Sequence, residues 1–462
     1  MVAAALAATA LAYPATAMAH GLVGRADLPI PVWLFGWAAS IVLVVSFAAL
    51  SVLWQEPRLQ TVVRSALFPL SRVVDVVLGA FGIFVLVATV YCGFAGTSLA
   101  TANLGPNVIY VYFWVGLAFA SVLFGDVFRL LSPWRSIARA WSWCGRRALG
   151  RPLRAARSYP AWLGQWPAAA GIVGFAWLEL VYVNRDVPST LAWIVIGYTL
   201  IQLAGMAVFG IEDWSRRADA FGAYFGLLSL LALFERQDGR IYRRRPLSAV
   251  PQLVILPGTM ALLFAALGST TFDGFSNGTI WASLAPRLES AFSGLGASAS
   301  LELAFSVGLI GCILIVAGFY QLGVRGILTV DVERSGSELA RKFAHTLIPI
   351  VFAYVVAHYF SFLVFQGQGI AHLISDPLGN GSNIFGTAGA TIDYQVIGPK
   401  AVWYIQVAAL VVGHVSGLML AHDRALALYP RVEDATRSQY WMLVVMVGFT
   451  SLGLWLLSAV AV

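Results

Sequence analysis

The residues of this chain best suited to chemistry are its six histidines and a few carboxylates in apolar surroundings. The histidines are His20, His345, His358, His372, His414 and His422. Two of them, with Tyr354 and Tyr359, lie in residues 343–365, FAHTLIPIVFAYVVAHYFSFLVF, which are long and apolar enough to cross a bilayer. Polar groups in such a span are costly and usually face the bundle interior. His345 and His358 are roughly 20 Å apart along a helix, so one metal ion cannot bind both.

A metal site is predicted from the three histidines of the outer half, His20, His358 and His372. A chain that begins at His20 offers an amine and an imidazole to one metal, and imidazole suits copper or zinc. A divalent metal held there could generate hydroxide near neutral pH and polarise a phosphoryl or carbonyl oxygen. The alternatives are an ordinary exposed terminus at His20, a packing role for His358 and a solvated His372.

Two carboxylates are the candidate acids or bases beside His358. Asp273 lies in TTFDGFSNGTIW, within a predicted outer loop at 270–300, and Glu179 lies in WLELVY near the outer end of an apolar segment. A carboxyl in an apolar place can serve as an acid or a base. The sequence therefore predicts His358, Asp273 and Glu179 as catalytic residues. For Glu179 the alternative is a side chain that reaches the membrane interface.

The composition is that of a membrane protein. The chain is 59% hydrophobic and 11% charged, whereas a soluble domain carries about 25% charged residues. Its net charge of +7 does not indicate nucleic-acid binding, because the basic residues lie in short clusters between apolar spans. Residues 1–19 are typical of a signal peptide that ends at Ala17-Met18-Ala19, although no Lys or Arg precedes their apolar core.

Hydropathy predicts an all-α polytopic protein in one transmembrane domain, residues 20–462. Ten spans of about 20 residues, the length that crosses the hydrocarbon core, are expected near residues 31–54, 73–95, 107–128, 160–183, 190–211, 248–269, 301–323, 343–366, 400–421 and 440–461. Residues 218–234 are apolar but have arginines at both ends, which favours a helix lying in the interface. A short or re-entrant span is the alternative there.

The basic residues predict the orientation. All but four of the 29 Lys and Arg residues fall in alternate loops, the exceptions being Arg25, Arg185, Arg287 and Lys400. Since positive loops stay on the cytoplasmic side, the mature amino terminus and the carboxy terminus are expected outside a bacterial inner membrane. His345 and His422 then lie at the inner surface as helix-end caps. The alternative is that His345 and His422 form a second metal site or one end of a proton relay together with His414 and Asp423.

Four motifs carry a resemblance to a known family. They are HGLVGRADLPIPVWLFGW, FGDVFRLLSPWR, TTFDGFSNGTIW and FAHTLIPIVFAYVVAHYFS. The chain resembles the large membrane subunit of fenitrothion hydrolase and its bacterial polytopic relatives over most of its length. The resemblance implies hydrolysis of the P–O(aryl) bond of organophosphorus triesters and a second integral-membrane subunit. It implies no catalytic residues.

Three functions remain open at this point. The first is a membrane subunit of a hydrolase complex that acts on apolar phosphotriesters, which partition into lipid and suit a mostly apolar pocket. The second is a transporter or metal-handling protein whose histidines line a path through the membrane. The third is a scaffold for the assembly of another membrane enzyme.

Overall fold

The computed structural model describes residues 32–150 and 155–458, and it confirms an all-α polytopic membrane protein. The predicted signal peptide and His20 lie outside the described residues. The main helices are α1 (Val32–Leu53), α2 (Arg72–Ala95), α3 (Leu104–Phe124), α4 (Pro133–Leu149), α5 (Trp166–Leu180), α6 (Pro188–Phe209), α7 (Ile211–Arg217), α8 (Ala220–Leu228), α9 (Thr259–Ser276), α10 (Thr279–Ala291), α11 (Ala297–Ile327), α12 (Gly336–Phe343), α13 (Leu347–Gln366), α14 (Pro399–Leu428), α15 (Val432–Arg437) and α16 (Tyr440–Ser458).

Short helical turns connect several of these helices. Single α-turns occur at Phe128–Leu131 and Ile370–Leu373, and 3₁₀ turns occur at Ala100–Ala102, Ser229–Leu231, Val250–Gln252, Ser293–Leu295, Ala344–Thr346 and Gly367–Gly369. Among the described residues, seven helical segments are long and apolar enough to cross a membrane: α1 from Gly36, α2, α3, α6, α11, the run Gly336–Leu373 that contains α13, and α14. The other three predicted spans overlap with α5, α9 and α16. The 15 residues of α5 cover roughly 22 Å at 1.5 Å per residue.

Two expectations about local structure are wrong. The outer loop expected at 270–300 is mostly helical, because α9 continues to Ser276 and α10 and α11 follow closely. The span expected at 248–269 starts late, at Thr259, since Pro251, Pro257 and Gly258 with φ of +85° interrupt helical geometry before it. Asp273 is therefore a helical residue and is buried.

The apolar segment at 218–234 does not lie on the surface as an interfacial helix would. Most of α8 is buried, including Phe221, Tyr224 and Phe225, and it packs against α5 and α3. Together with the following 3₁₀ turn, α8 covers the twelve residues Ala220–Leu231, which reach only about 18 Å. A helix that is apolar all round is stable only when it is surrounded by protein or lipid.

A small antiparallel sheet, which hydropathy did not predict, joins two distant loops. Its order is β1–β3–β2, with β1 at Arg64–Pro69, β2 at Phe234–Gln237 and β3 at Arg240–Arg244. Because β1 follows α1 and the β2–β3 hairpin follows α8, both loops lie on the same face of the bundle. Gly93 near the end of α2 lies beside Pro188 at the start of α6, so α6 runs antiparallel to α2 and also ends on that face.

The centre of the bundle is the contact of α13 with α14. Among the helices that could cross the membrane, the run containing α13 is the most buried. Gly413 and Gly417 of α14 face it, and a Cβ atom at Gly413 would come 2.9 Å from the carbonyl oxygen of Pro349. Small residues four apart let two helices approach closely in a membrane. This approach places the helix that carries His358 directly beside the helix that carries His414.

At the face that carries the sheet, Glu212 of α7 binds three arginines. Its carboxylate lies 2.7 Å from Arg129, 2.7 Å from Arg135 and 3.2 Å from Arg139. Burial acts to raise the pKa of Glu212, but Arg135 and Arg129 outweigh it and lower the pKa to about 2. The carboxylate thus ties α7 to α4 and to the turn before it.

We expect Glu212→Gln to lower the free energy of unfolding in detergent at pH 7 by about 1 kcal/mol, because solvent screens this half-exposed group. The loss is measured as a lower thermal unfolding midpoint. A pKa that is lower in the folded state contributes stability above the unfolded value of about 4.3. The gap between variant and wild type should therefore shrink as the pH falls from about 4.3 towards 2. Asp213→Asn, next to it and paired more loosely with Arg217 at 3.4 Å, is the control. A gap that is constant with pH would contradict the assignment.

Candidate functional site

Three helices bring two carboxylates and a tyrosine together inside the bundle. Asp273 of α9 is 4% exposed, and the Tyr359 hydroxyl of α13 hydrogen-bonds with its carboxylate. Glu179 of α5 is partly buried and close enough to interact electrostatically with both residues. Carboxylates in so poorly solvated a place need hydrogen bonds or a proton to be stable. The group can therefore hold and transfer a proton.

His358 lies against the same part of α9. A Cβ atom added to Gly274 would come 3.1 Å from Nε2 of His358 and still closer to the adjoining ring carbon. The imidazole thus rests on the backbone next to Asp273, a position that only glycine leaves open. The structure therefore unites all three predicted catalytic residues, His358, Asp273 and Glu179, around one region of α9.

An aromatic wall encloses the carboxylates on the side of α3 and α8. Trp114 stacks on Tyr224 with ring centroids 5.1 Å apart, and it meets Phe175 at 4.7 Å. Residues Val108–Gly116 of α3 are wound as a π-helix, a geometry that is frequent at functional sites. This winding carries Trp114, which approaches the Tyr359 hydroxyl, and Tyr110, which interacts electrostatically with Glu179.

Contacts at the end of α5 hold Glu179 in place. The indole of Trp177 donates to Ser306 of α11 at 2.9 Å and stacks on Tyr182 with centroids 5.5 Å apart. Just beyond the helix, the backbone N–H of Val183 donates to Glu302 at 3.2 Å. Because both partners belong to α11, the short helix α5 is fixed at the end where its carboxylate lies.

The predicted metal ligands do not meet within the described residues. His372 lies in the turn after α13, where its Nδ1 hydrogen-bonds with the carbonyl oxygen of Ala388. It is roughly 20 Å along the helical run from His358, too far to share one ion. In residues 32–150 and 155–458, no three His, Cys, Asp or Glu side chains are grouped to hold a metal. His20 lies outside these residues, so the metal remains a prediction.

His422 and Asp423, near the C-terminal end of α14, form a structural lock between this helix and the segment after α1. Both are fully buried. His422 Nε2 donates to the carbonyl oxygen of Trp54 at 2.9 Å, and its Nδ1 accepts from Gln439 at 3.2 Å. Asp423 accepts from the Leu59 backbone N–H at 3.1 Å. These two side chains therefore bind the segment after α1 to the body of the bundle.

Sequence reasoning missed Tyr359, Trp114 and Gly274 as members of the site. Tyr359 was visible as a polar group in an apolar span, but nothing in the spacing pointed it at Asp273. Gly274 follows Asp273 directly, and a glycine beside a candidate base is a weak signal of close approach by another side chain. Trp114 carries no chemical signature of its own, because aromatic residues are common in membrane spans.

Replacing Gly274 should damage the site through His358 alone. We expect Gly274→Ala to displace the imidazole of His358. The rate of the reaction at this site should then fall by about tenfold to 100-fold, the cost of misplacing a reacting group by about 1 Å. Gly294→Ala is the matched control, because nothing lies within 4 Å of a Cβ atom there. Equal rates for the two variants would show that the position of His358 does not matter.

The fold and the site define the class of this chain: an all-α polytopic membrane protein with a carboxylate, tyrosine and histidine centre inside its helical bundle. No protein-family model matches the chain, and comparisons with curated proteins and with solved structures found no match either.

Proposed function

We propose that this protein is the membrane subunit of a hydrolase that cleaves the P–O(aryl) bond of apolar organophosphorus triesters such as fenitrothion. The observation that carries the proposal is the meeting of Asp273, Tyr359 and His358 in the bundle interior. A neutral triester dissolves in the lipid that surrounds such a bundle. A second integral-membrane subunit is part of the proposal, on the basis of the resemblance in the four sequence motifs.

The reaction needs a base and stabilisation of the negative charge that develops on the phosphoryl oxygen or sulfur. Asp273 takes a proton from water, the water oxygen bonds to phosphorus, and the bond to the aryl oxygen breaks to release a nitrophenolate. His358 can donate a hydrogen bond to the phosphoryl oxygen or sulfur as negative charge develops there, while the Tyr359 hydroxyl donates to Asp273 and orients it. Glu179 is the second carboxylate and can receive the proton from the first.

The test is release of nitrophenol by membranes that contain the protein. Full-length chain is produced alone and together with the candidate second subunit, and nitrophenolate absorbance is followed after addition of fenitrothion. Nitrophenol release from membranes that contain the wild-type chain, and no release from membranes that lack it, supports the proposal. Absence of release from the complete pair, with both proteins present in the membrane, would refute it.

A second candidate function is transport, which is supported by three neighbouring polar rings inside the bundle. Tyr354 lies between the two histidines, with centroids 6.3 Å from His358 and 6.2 Å from His414. Polar side chains that follow one another in this way are found along proton and ion paths. Purified protein in vesicles that carries ion or proton flux, without releasing nitrophenol, would favour transport over hydrolysis.

A further inference from the structure

A separate cavity lies between α11, α13, α14 and α16. Its volume is about 60 Å³, and its lining is almost wholly apolar. His414, Met442 and Met446 contribute to its wall, together with Phe449 and Tyr320. Neither the hydrolase site nor the lock at His422 uses any of these residues.

His414 lines this cavity and has one ring nitrogen without a hydrogen-bond partner among the described residues. The side chain is fully buried, and Nδ1 donates to the carbonyl oxygen of Leu410, 2.7 Å away in its own helix. That bond fixes the neutral tautomer with its lone pair on Nε2. Within the described part of the chain, Nε2 has no hydrogen-bond partner. A buried acceptor without a partner is costly, and such an atom calls for an explanation by a ligand, ion or water.

The hydroxyl groups of the cavity do not serve His414. Tyr320 donates to the carbonyl oxygen of Ala340 at 2.6 Å, and Thr346 donates to that of Phe343 at 2.8 Å. Their hydrogens are thus committed to the backbone. The remaining groups with lone pairs suited to a ligand are the thioethers of Met442 and Met446. These two residues are four apart on α16 and both are 7% exposed, so they lie on one buried face of that helix.

We propose that His414, Met442 and Met446 bind one Cu(I) ion. Thioether and imidazole donors select soft metals, and Cu(I) is the soft ion they share. The wall contains no carboxylate, so a divalent ion would bring two uncompensated charges into an apolar space, whereas Cu(I) brings one. The faces of Phe449 and Tyr320 can stabilise that single charge further. This site is independent of the proposed hydrolysis.

The test is binding of Cu(I) to the purified full-length chain in detergent, without oxygen and with a chromophoric Cu(I) chelator as competitor. A purification tag without histidine is used, and His20→Ala is the background, so that a terminal site does not contribute. We expect one Cu(I) per chain, with nitrogen and sulfur neighbours in the X-ray absorption spectrum. His414→Ala, and separately Met442→Leu with Met446→Leu, should each weaken binding by about 10-fold to 100-fold.

Met206→Leu is the matched control, since Met206 is a buried methionine at 2% exposure on α6 and is not part of the cavity wall. The leucine variants preserve side-chain volume, so they stay informative if His414→Ala misfolds. Unchanged affinity in the methionine pair, a spectrum without sulfur, or no stoichiometric binding to the parent chain would each overturn the site. A bound water as the sole partner of Nε2 would give the last of these results.

Discussion

Asp273→Asn should lower nitrophenol release by about 100-fold to 10,000-fold, the usual contribution of a general base. Asparagine has the same shape and can keep a hydrogen bond with Tyr359, but it cannot take a proton from water. The protein should therefore fold normally and keep its thermal unfolding midpoint while losing its chemistry. Rates are measured in membranes with equal amounts of the chain, together with the second subunit.

Two further variants separate a catalytic from a structural role. Asp393→Asn changes an exposed carboxylate in the segment between α13 and α14 and should leave the rate unchanged. Tyr359→Phe removes the hydroxyl that reaches Asp273 and should lower the rate by less than Asp273→Asn does, because the base itself remains. If folded Asp273→Asn protein retained more than half of the wild-type rate, Asp273 would not be the base.

Asp423→Ala should have the largest effect on stability. The carboxylate is fully buried and accepts hydrogen bonds from the backbone of Arg58 and Leu59 and from the side chains of Gln60 and Trp54. Removal leaves several of these donors without a partner, at about 1–3 kcal/mol for each buried group. We expect a free-energy loss of about 3 kcal/mol or more, seen as a lower unfolding midpoint in detergent and a lower yield in membranes.

The control for this loss is Asp186→Ala. The Asp186 carboxylate is 57% exposed and forms a loose ion pair with Arg185 at 3.9 Å. It should change stability by less than about 1 kcal/mol, as exposed ion pairs do. The detached segment after α1 should also be cleaved faster by protease between residues 54 and 60 than the same segment of the wild type. A normal midpoint for Asp423→Ala would show that the segment is held by other contacts.

The apolar runs alone determined the helical, membrane-embedded character of this protein, because about 20 apolar residues in succession can satisfy their backbone in lipid only as a helix. The same hydropathy identified Glu179 and His358 as unusual, since each is a polar group in an apolar setting, whereas Asp273 was nominated as a carboxylate in a predicted outer loop on the same side. Residue type and setting were thus enough to nominate the catalytic candidates, and the structure places them together.

Only the tertiary structure decided which groups meet. Tyr359 reaches Asp273, and Nε2 of His358 rests beside Gly274, because α9 and α13 pack face to face, and no spacing within either helix encodes that rotation. The role of Asp423 was equally hidden, since its partners lie more than 360 residues earlier in the chain. Hydropathy fixes whether a segment enters the membrane. Contacts between segments depend on the shape of both partners, which one sequence segment does not contain.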